Sequence, residues 1–514
     1  MAERSYRFAP HPASGFLLGL RVAQLTGFVL AGVLALLLLR MGGLGGLALA
    51  LCCLALAAGV LLIPVYGQTL EQWTPLVLRF LLSRLSGRGR FAAQRAQLGH
   101  LVRLPEGGLD PQRPREPQSL PGELAGLEFL QAGLARYGQA SFGAVKDARA
   151  GTFTAALRVR GRAFALLSPE ERERRLADYG AVLAALARDE SAVRRVAWVE
   201  RTPPADGDAL GDHVLAARRP DADFQRTPEL VSYLSLIDQA GEVAEEHELL
   251  FAIQVDARRP VARRAIRRLG GDDAGALAVL AGELGALIEL LDRAGISVIG
   301  VLTRRGMAAA IRDAYDPWGR RERQRHIDRQ TVEDGVAPHL AGPVARQEHW
   351  SHLAADGALH CTLWAAEWPR IDVRALFLQP LLMDSQVTRS IAMCMELIGP
   401  SKAIRRAERA ATETATEQHL RARVGQRTSQ RQSQRDRAAY QRERELAEGH
   451  AAVRYTGYVT VSVPVDAADA LGQLEADVSR ISLEAKRAPL RLERCWGQQA
   501  EAFTYTLPLC RGLR

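Results

Sequence analysis

The chain has 514 residues, 47% hydrophobic and 24% charged, with a formal net charge of +9. Its six cysteines stand at 52, 53, 361, 394, 495 and 510 with no Cys-x-x-Cys pair, so neither a zinc cage nor a disulfide framework is indicated. Lysine occurs only as Lys146 after Val145, Lys402 after Ser401 and Lys486 after Ala485. No Gly-Lys-Ser/Thr phosphate loop therefore exists, and any ATP used with this protein is hydrolysed by another subunit.

Two apolar stretches come first, Val22 to Leu39 and about Gly43 to Ile63, neither with an acidic or basic side chain. A bilayer core of roughly 30 Å takes about twenty apolar helical residues, so each is just long enough to span. Arg40-Met41-Gly42-Gly43 is too short a link for a domain, so the helices are expected to be antiparallel, with both flanking segments on one side. Arg4, Arg7 and Arg21 before the pair and Arg79, Arg84, Arg88 and Arg90 after it outnumber Arg40 in the loop, which places both termini in the cytoplasm. A cleaved secretory signal is the alternative for the first stretch. Its apolar core would be about 7–15 residues long, whereas two longer ones lie here in series.

From Gln68 to about Phe91 the sequence is amphipathic and arginine-rich, predicting a juxtamembrane helix on the inner leaflet. Pro105 to Pro121 holds five prolines and reads as an extended linker. Strands are predicted at Glu123–Gln131 and Gly151–Val159, then a helix from Pro169 to Arg188 opened by Ser168. Arg195–Arg201 and Glu248–Val255 read as strands on either side of a helix over Thr227–Glu246. Gly270-Gly271-Asp272-Asp273 is a helix start with an aspartate cap, leading into Ala274–Ala294. Ile296–Leu302 reads as a short buried strand closed by Arg304-Arg305.

The second half begins with a hairpin of Gln347–Ala354 and Ala358–Glu367 around Asp356-Gly357, where glycine accepts positive φ. Trp368-Pro369 ends it, Val373–Met383 is a helix broken near Pro380, and Val387–Ile398 is a strand. Ser401 to Glu448 has no proline and no long apolar run, predicting one long exposed helix. Eleven Arg and one Lys face six Glu and one Asp there, a net charge of about +5. Val453–Val463, a helix from Ala467 to Lys486 capped by Asp466, and Leu490–Glu493 form a βαβ tail. The expected fold class is α+β, in α/β layers, a cytoplasmic body carrying a two-helix transmembrane hairpin and a long arginine-rich helix. The expected divisions are 1–66 for the hairpin, 67–121 for the juxtamembrane helix and linker, 122–398 for the body, 399–450 for the basic helix and 451–514 for the tail.

Residues able to carry chemistry are few. His349, His352, His360 and Cys361 are zinc-ligand types lying close in sequence, but residues three apart on a strand face opposite sides, so no metal site is assigned. Glu245, Glu246, His247 and Glu248 read as a solvated helix end rather than an acid/base pair. With no Gly-x-Ser-x-Gly elbow and no carboxylate pair in a recognisable context, no catalytic, cofactor-binding or metal residue is assigned, and the protein is expected not to be an enzyme. The basic helix has clustered positive charge that suits phosphates. Its interleaved glutamates and single aromatic, Tyr440, favour a solvated or subunit-docking helix over a nucleic-acid groove.

Several short stretches, in order, carry a family resemblance: Ala314-Tyr315-Asp316-Pro317, Ala341-Gly342-Pro343, Glu367-Trp368-Pro369, Ser401-Lys402-Ala403 before the basic helix, Gly457-Tyr458-Val459-Thr460-Val461, and Gln498-Gln499 followed by Tyr505 to Gly512. The body resembles the amino-terminal, non-ATPase domain of the assembly ATPases of conjugative and type IV secretion systems. The hairpin is similar to the small PrgI-type subunits that partner them, and the whole is most similar to hairpin-plus-domain proteins of actinobacterial conjugation clusters. The resemblance covers most of the chain and departs from the ATPases at Arg514, where they continue into Walker motifs. It implies a structural inner-membrane subunit whose partners are membrane lipid, a separate cytoplasmic ATPase and other channel subunits, with nucleic acid met indirectly and a homo-oligomer as a further expectation. The helix Ser401–Glu448 and the tail from Val453 to Arg514 are the expected docking elements.

Overall fold

A computed structural model describes residues 22–40, 43–62, 64–65, 68–87, 89–92, 120–134, 139–161, 164–204, 247–320, 335–383, 387–409 and 449–513, with isolated positions such as Phe8. Most of the expected helix over Thr227–Glu246, of which Ser232, Tyr233, Ser235 and Leu236 are described and helical, most of the basic helix and most of the proline-rich linker lie outside these residues.

Two apolar helices, α1 (Val22–Arg40) and α2 (Gly43–Leu62), open the fold. They run antiparallel, since Gln24 near the start of α1 donates from Nε2 to the Leu61 carbonyl near the end of α2, 2.7 Å away. A short turn of β1 (Pro64–Val65) and β2 (Gln68–Thr69) leads to α3 (Leu70–Leu85). The sequence extends this helix to Phe91, but the chain leaves it to form β3 (Arg90–Ala92), which pairs with the body.

The first run of the body is β4 (Leu127–Leu134), β5 (Gln139–Asp147), β6 (Thr152–Arg160), α4 (Pro169–Leu186), β7 (Val193–Thr202), β8 (Glu248–Asp256), α5 (Pro260–Arg268), α6 (Asp272–Arg293), β9 (Ser297–Val301) and α7 (Arg304–Tyr315). The second is β10 (Ala345–Glu348), β11 (Leu353–Ala355), β12 (Ala358–Glu367), α8 (Gln379–Met383), β13 (Arg389–Ile398), β14 (Ala452–Pro464), α9 (Ala470–Arg487), β15 (Arg491–Arg494) and α10 (Gln499–Phe503). The second run repeats the first element for element, with α9 standing where α5 and α6 stand.

All these strands join one thirteen-stranded sheet in the order β3-β10-β11-β12-β14-β13-β7-β8-β6-β5-β4, with β15 added to β12 and β9 added to β6. Within it, β9-β6-β8-β7 and β15-β12-β14-β13 have the same local order, fourth-first-third-second. Each is a βαββαβ unit of ferredoxin-like topology. The two units meet through β7 and β13, antiparallel from Arg389↔Thr202 to Glu396↔Arg195, which makes the contact between equivalent strands locally two-fold. The βαβ tail expected over Val453–Glu493 is thus not separate: β14 and β15 flank β12 as the third and fourth strands of the second unit.

One face of the sheet carries the crossover helices. Phe153, Leu157, Val196, Ile253 and Met395 pack under Val182, Leu186 and the row Leu280, Leu284, Leu287 and Leu291 of α6. Leu363, Ile391, Val459 and Val461 pack under Leu474, Val478 and Ile481 of α9. The opposite face is covered by α7, α10 and the segment up to Leu513, with Met307, Ile311, Tyr315, Phe503 and Leu507 over Ala156, Val199, Leu250 and Cys394. Two helices in the described residues are long and apolar enough to cross a membrane, α2 through Gly45–Leu62 and α6. α6 spends that character on the core, while α1 is apolar but shorter.

Local chemistry explains the element ends. Ser168 caps α4 by accepting from Glu171 N while Glu171 reaches back to Ser168 N, a capping box. Three expectations need correction. The cap of α6 is Gly271 at φ +72°, with Asp272 and Asp273 in the first turn, where carboxylates favour the helix dipole. Asp469, not Asp466, caps α9 by accepting from Gly472 N at 3.0 Å. At the hairpin turn the positive φ falls on Asp356 (48°) rather than Gly357, because its carboxylate is needed there to accept from Val344 N and Ala345 N at 2.8 Å each.

Other differences are of extent. The strand expected over Glu123–Gln131 starts as a 3-10 turn and becomes β4 only at Leu127. Gln347–Ala354 is broken into β10 and β11, and Val373–Met383 is helical only from Gln379. Ile296–Leu302 is not a buried strand: β9 has Ile299 53% exposed, and Arg304-Arg305 open α7 instead of closing a strand, with Thr303 accepting from Gly306 N at 3.0 Å.

Gly143 on β5 donates its N–H to the Leu302 carbonyl, and a Cβ there would lie 2.4 Å from Arg304 N and from the Thr303 carbonyl, both backbone. Gly143→Ala therefore forces β5 away from the start of α7. We expect a loss of about 1–3 kcal/mol in urea unfolding, whereas Gly161→Ala, with open space around it, leaves the midpoint nearly unchanged.

Candidate functional site

The strongest functional feature is the junction between hairpin and body. α1 and α2 turn large apolar side chains outward, with Leu30, Leu36 and Leu56 among the most exposed. Gly27 lets the helices approach, since a Cβ there would meet Leu61 at 2.9 Å. On the amino-terminal side, Phe8 reaches the body and stacks on Trp368 at 5.3 Å, edge-on to Phe377 and Tyr455. On the other side, Trp73 and Phe80 of α3 pack on Trp350 at 5.9 and 5.0 Å, and Arg79 pairs with Glu501. Both flanks of the hairpin therefore return to the second unit, as an antiparallel pair requires. The sequence marked the flanks by their charge and by the amphipathic run after the hairpin; the aromatic contacts had no sequence signal of their own.

The histidines do not assemble. His349 and His352 lie in the turn between β10 and β11, not on one strand, and their rings stack at 4.4 Å, contrary to the divergence expected of strand positions. Burial, with His349 and Arg494 nearby, pushes His352 down to about 4. His360 is fully buried on the α7 side, its Nδ1 2.8 Å from Ser462 Oγ and its Nε2 3.1 Å from the Tyr315 carbonyl. Cys361 points to the opposite face and is also buried, its thiol pushed up to about 12 by desolvation. Among the described residues no group of three or more ligand types could hold a metal ion.

Nor do His247 and Glu248 form a solvated helix end; Glu245 and Glu246 lie outside the described residues. His247 Nδ1 is 2.6 Å from Glu200 Oε1, and Glu248 begins β8 in a charge network on the α7 face. Arg158 donates to Glu248 at 2.8 Å, and Arg201 lies 3.9 Å from it while donating to the Ala310 carbonyl at 2.6 Å. Burial pushes the Glu248 carboxyl up, but Arg201, Arg320 and Arg158 together outweigh it and hold it below the usual range. Asp313 is the contrasting case, where burial prevails over Arg323 and raises it. This network ties the end of β7 to α7 and fixes geometry rather than presenting a reactive group.

The stretches that carry the family resemblance also turn inward. Tyr315 packs tilted against Phe503 at 4.4 Å between ring centroids, the Gly342 carbonyl accepts from Arg312 at 2.9 Å, and Gly457 leaves room for Trp368, 3.2 Å from where its Cβ would be. Gln499 is buried and holds Thr362 from both sides, accepting from its N–H at 2.8 Å and donating to its carbonyl at 3.2 Å. The segment expected to dock a partner is partly committed elsewhere: Leu507, Leu509 and Cys510 are buried against the sheet. Of the basic helix, residues 400–409 are helical, anchored by Ser401 to Asp189 and by buried Ala403, with Arg405, Arg406 and Arg409 exposed.

No family model matches this chain, and no curated protein is significantly similar to it.

Two titrations test the polar core. Glu248 has a depressed folded-state value, so its stabilisation is complete above the ordinary value of 4.5 and lost as pH falls through the folded one. Glu248→Gln should cost roughly 3 kcal/mol at pH 7 in urea unfolding, the scale of breaking a buried pair, with the gap to the parent narrowing in acid. His360 is held neutral down to about 4 against 6.5 when unfolded, so the parent protein should lose stability as pH falls between those values, and His360→Gln should lose less over the same window.

Proposed function

We propose that this protein is a non-catalytic inner-membrane subunit of a conjugative, type IV secretion-like translocation system that anchors a separate cytoplasmic ATPase. The observation that supports it best is the hairpin whose two flanks both return to the second unit of the body: an apolar pair with leucines turned outward, tied to a rigid sheet by Phe8 on one side and α3 on the other. Such a part holds a cytoplasmic partner at fixed distance and orientation from the bilayer. The order of the family-like stretches supports the same assignment. The lysine pattern assigns the energy-yielding step to a partner.

Docking falls on the basic segment from Ser401 to Glu448. Its first turns, residues 400–409, expose Arg405, Arg406 and Arg409, while the carboxy-terminal stretch is occupied in the core. Conformational changes of the ATPase would reach the hairpin through the second unit, which carries both the basic insertion and the contacts to α3.

Full-length protein extracted from membranes is expected to retain a Walker-bearing ATPase encoded nearby, through nuclease treatment and moderate salt, and to lose it when residues 401–448 are replaced by a short linker. Retention that disappears with nuclease would instead assign the arginines to nucleic acid. ATP turnover by the pure protein, or an extracytoplasmic reporter fused at Arg514, would overturn the proposal.

A further inference from the structure

α3 has two unlike sides. At about 100° per residue, Trp73, Leu76 and Phe80 fall together on the side that meets Trp350, while Val77, Leu78, Leu81, Leu82 and Leu85 fall together on the other. That second side is bare: Leu78 and Leu82 are each 57% exposed and Leu85 is 84% exposed. A stripe of five large apolar side chains on an ordered helix demands a cover. The nearest apolar element is α2, which ends at Leu62 only a short turn before α3 begins.

The charges beside the stripe say which cover it is. Arg79 lies away from it and is neutralised by Glu501. Arg84 lies at the border between the docked and bare sides, and Arg90 follows on β3, paired in register with Gln347. Both are exposed, and neither pairs with an acid among the described residues. They stand near enough to His349 to disfavour its charged form, so cations gather on this edge without a compensating carboxylate. A protein partner would need an apolar groove rimmed with acids; a lipid surface supplies both features at the depth where α2 leaves it.

We propose that α3 and the β3 edge form a binding surface for anionic phospholipid, with Leu78, Leu81, Leu82 and Leu85 set into the acyl margin and Arg84 and Arg90 on headgroup phosphates. The surface rests on the membrane reading above and adds selectivity to it: the hairpin enters any bilayer, whereas α3 settles only on a negatively charged one. Each arginine near such a surface contributes about fivefold in affinity.

Hydrogen exchange of the full chain in nanodiscs tests this, comparing phosphatidylcholine alone with phosphatidylcholine plus phosphatidylglycerol. Residues 70–92 should exchange severalfold more slowly in the anionic discs, and Arg84→Gln with Arg90→Gln should abolish the difference. Equal exchange in both lipids, a difference that survives the double substitution, or protection reproduced by inorganic phosphate in neutral discs would each overturn the surface. Protection of Gly43–Leu62 in both lipids keeps the hairpin reading intact even then, whereas free exchange of that helix in the discs would overturn the hairpin reading itself.

Discussion

The seam between β7 and β13 is the constraint from which the rest of the body follows. Each ferredoxin-like unit on its own would end at this strand with a row of unpaired N–H and C=O groups, a costly edge if buried and an aggregation template if exposed. Pairing the two edges satisfies eight residues on each strand and merges two small sheets into one. It also fixes the faces. Trp198 and Met393, opposite each other in the register, pack against both helix-covered cores, so the two hydrophobic clusters become continuous at the seam. A one-residue slip would turn Val196 and Met395 out of that core and Ala197 and Cys394 into it.

What holds the other face is mostly directional. The stretch after α10 crosses both units: Leu509 accepts from Gln254 Nε2 at 3.0 Å, Leu513 from Arg195 at 2.7 Å, and Gly512 from the Tyr458 hydroxyl at 2.8 Å. Thr362, Thr460 and Thr506 form a hydroxyl chain with 2.9 Å steps between the second unit and this stretch. Polar groups buried at such density are stabilising only when each finds a partner, and they then select one arrangement over its near-equivalents. That selectivity suits a face where α7 and α10, equivalent in the two runs, meet through Tyr315 and Phe503.

Elements with strong local signals were legible in the sequence. The Ser168-Pro169 start, the apolar period of α6 and the strand-like runs of β6, β8 and β14 place those elements within a few residues of their bounds. α5 and α7 were not, because Arg263, Arg264, Arg304 and Arg305 mask short helices whose apolar faces are Ala262 and Ile266 in α5 and mostly small residues beside Met307, Ile311 and Tyr315 in α7. β5 was missed as well: its Gly143 weakens a strand pattern locally, and its reason is a contact with Thr303, remote in sequence. The duplication left no trace either, since it resides in strand order, which is set by non-local pairing. For the junction, arginine placement and the amphipathic run pointed to α3, but Trp350 and Phe8 are isolated aromatics whose meeting depends on the finished fold.

The antiparallel seam has a mechanical corollary. Thr202 lies opposite Arg389 and Glu396 opposite Arg195, so the insertion after β7 and the basic insertion after β13 leave from opposite ends, roughly 30 Å apart along the strands. A pull on the basic insertion directed along β13 would load its rungs to β7 and β14 side by side, in shear, so that many must fail together. The same pull directed across the strands would peel them one at a time. A body built this way is stiff toward tension along its strands and compliant across them, a directional property that a tether between a motor and an anchor can use.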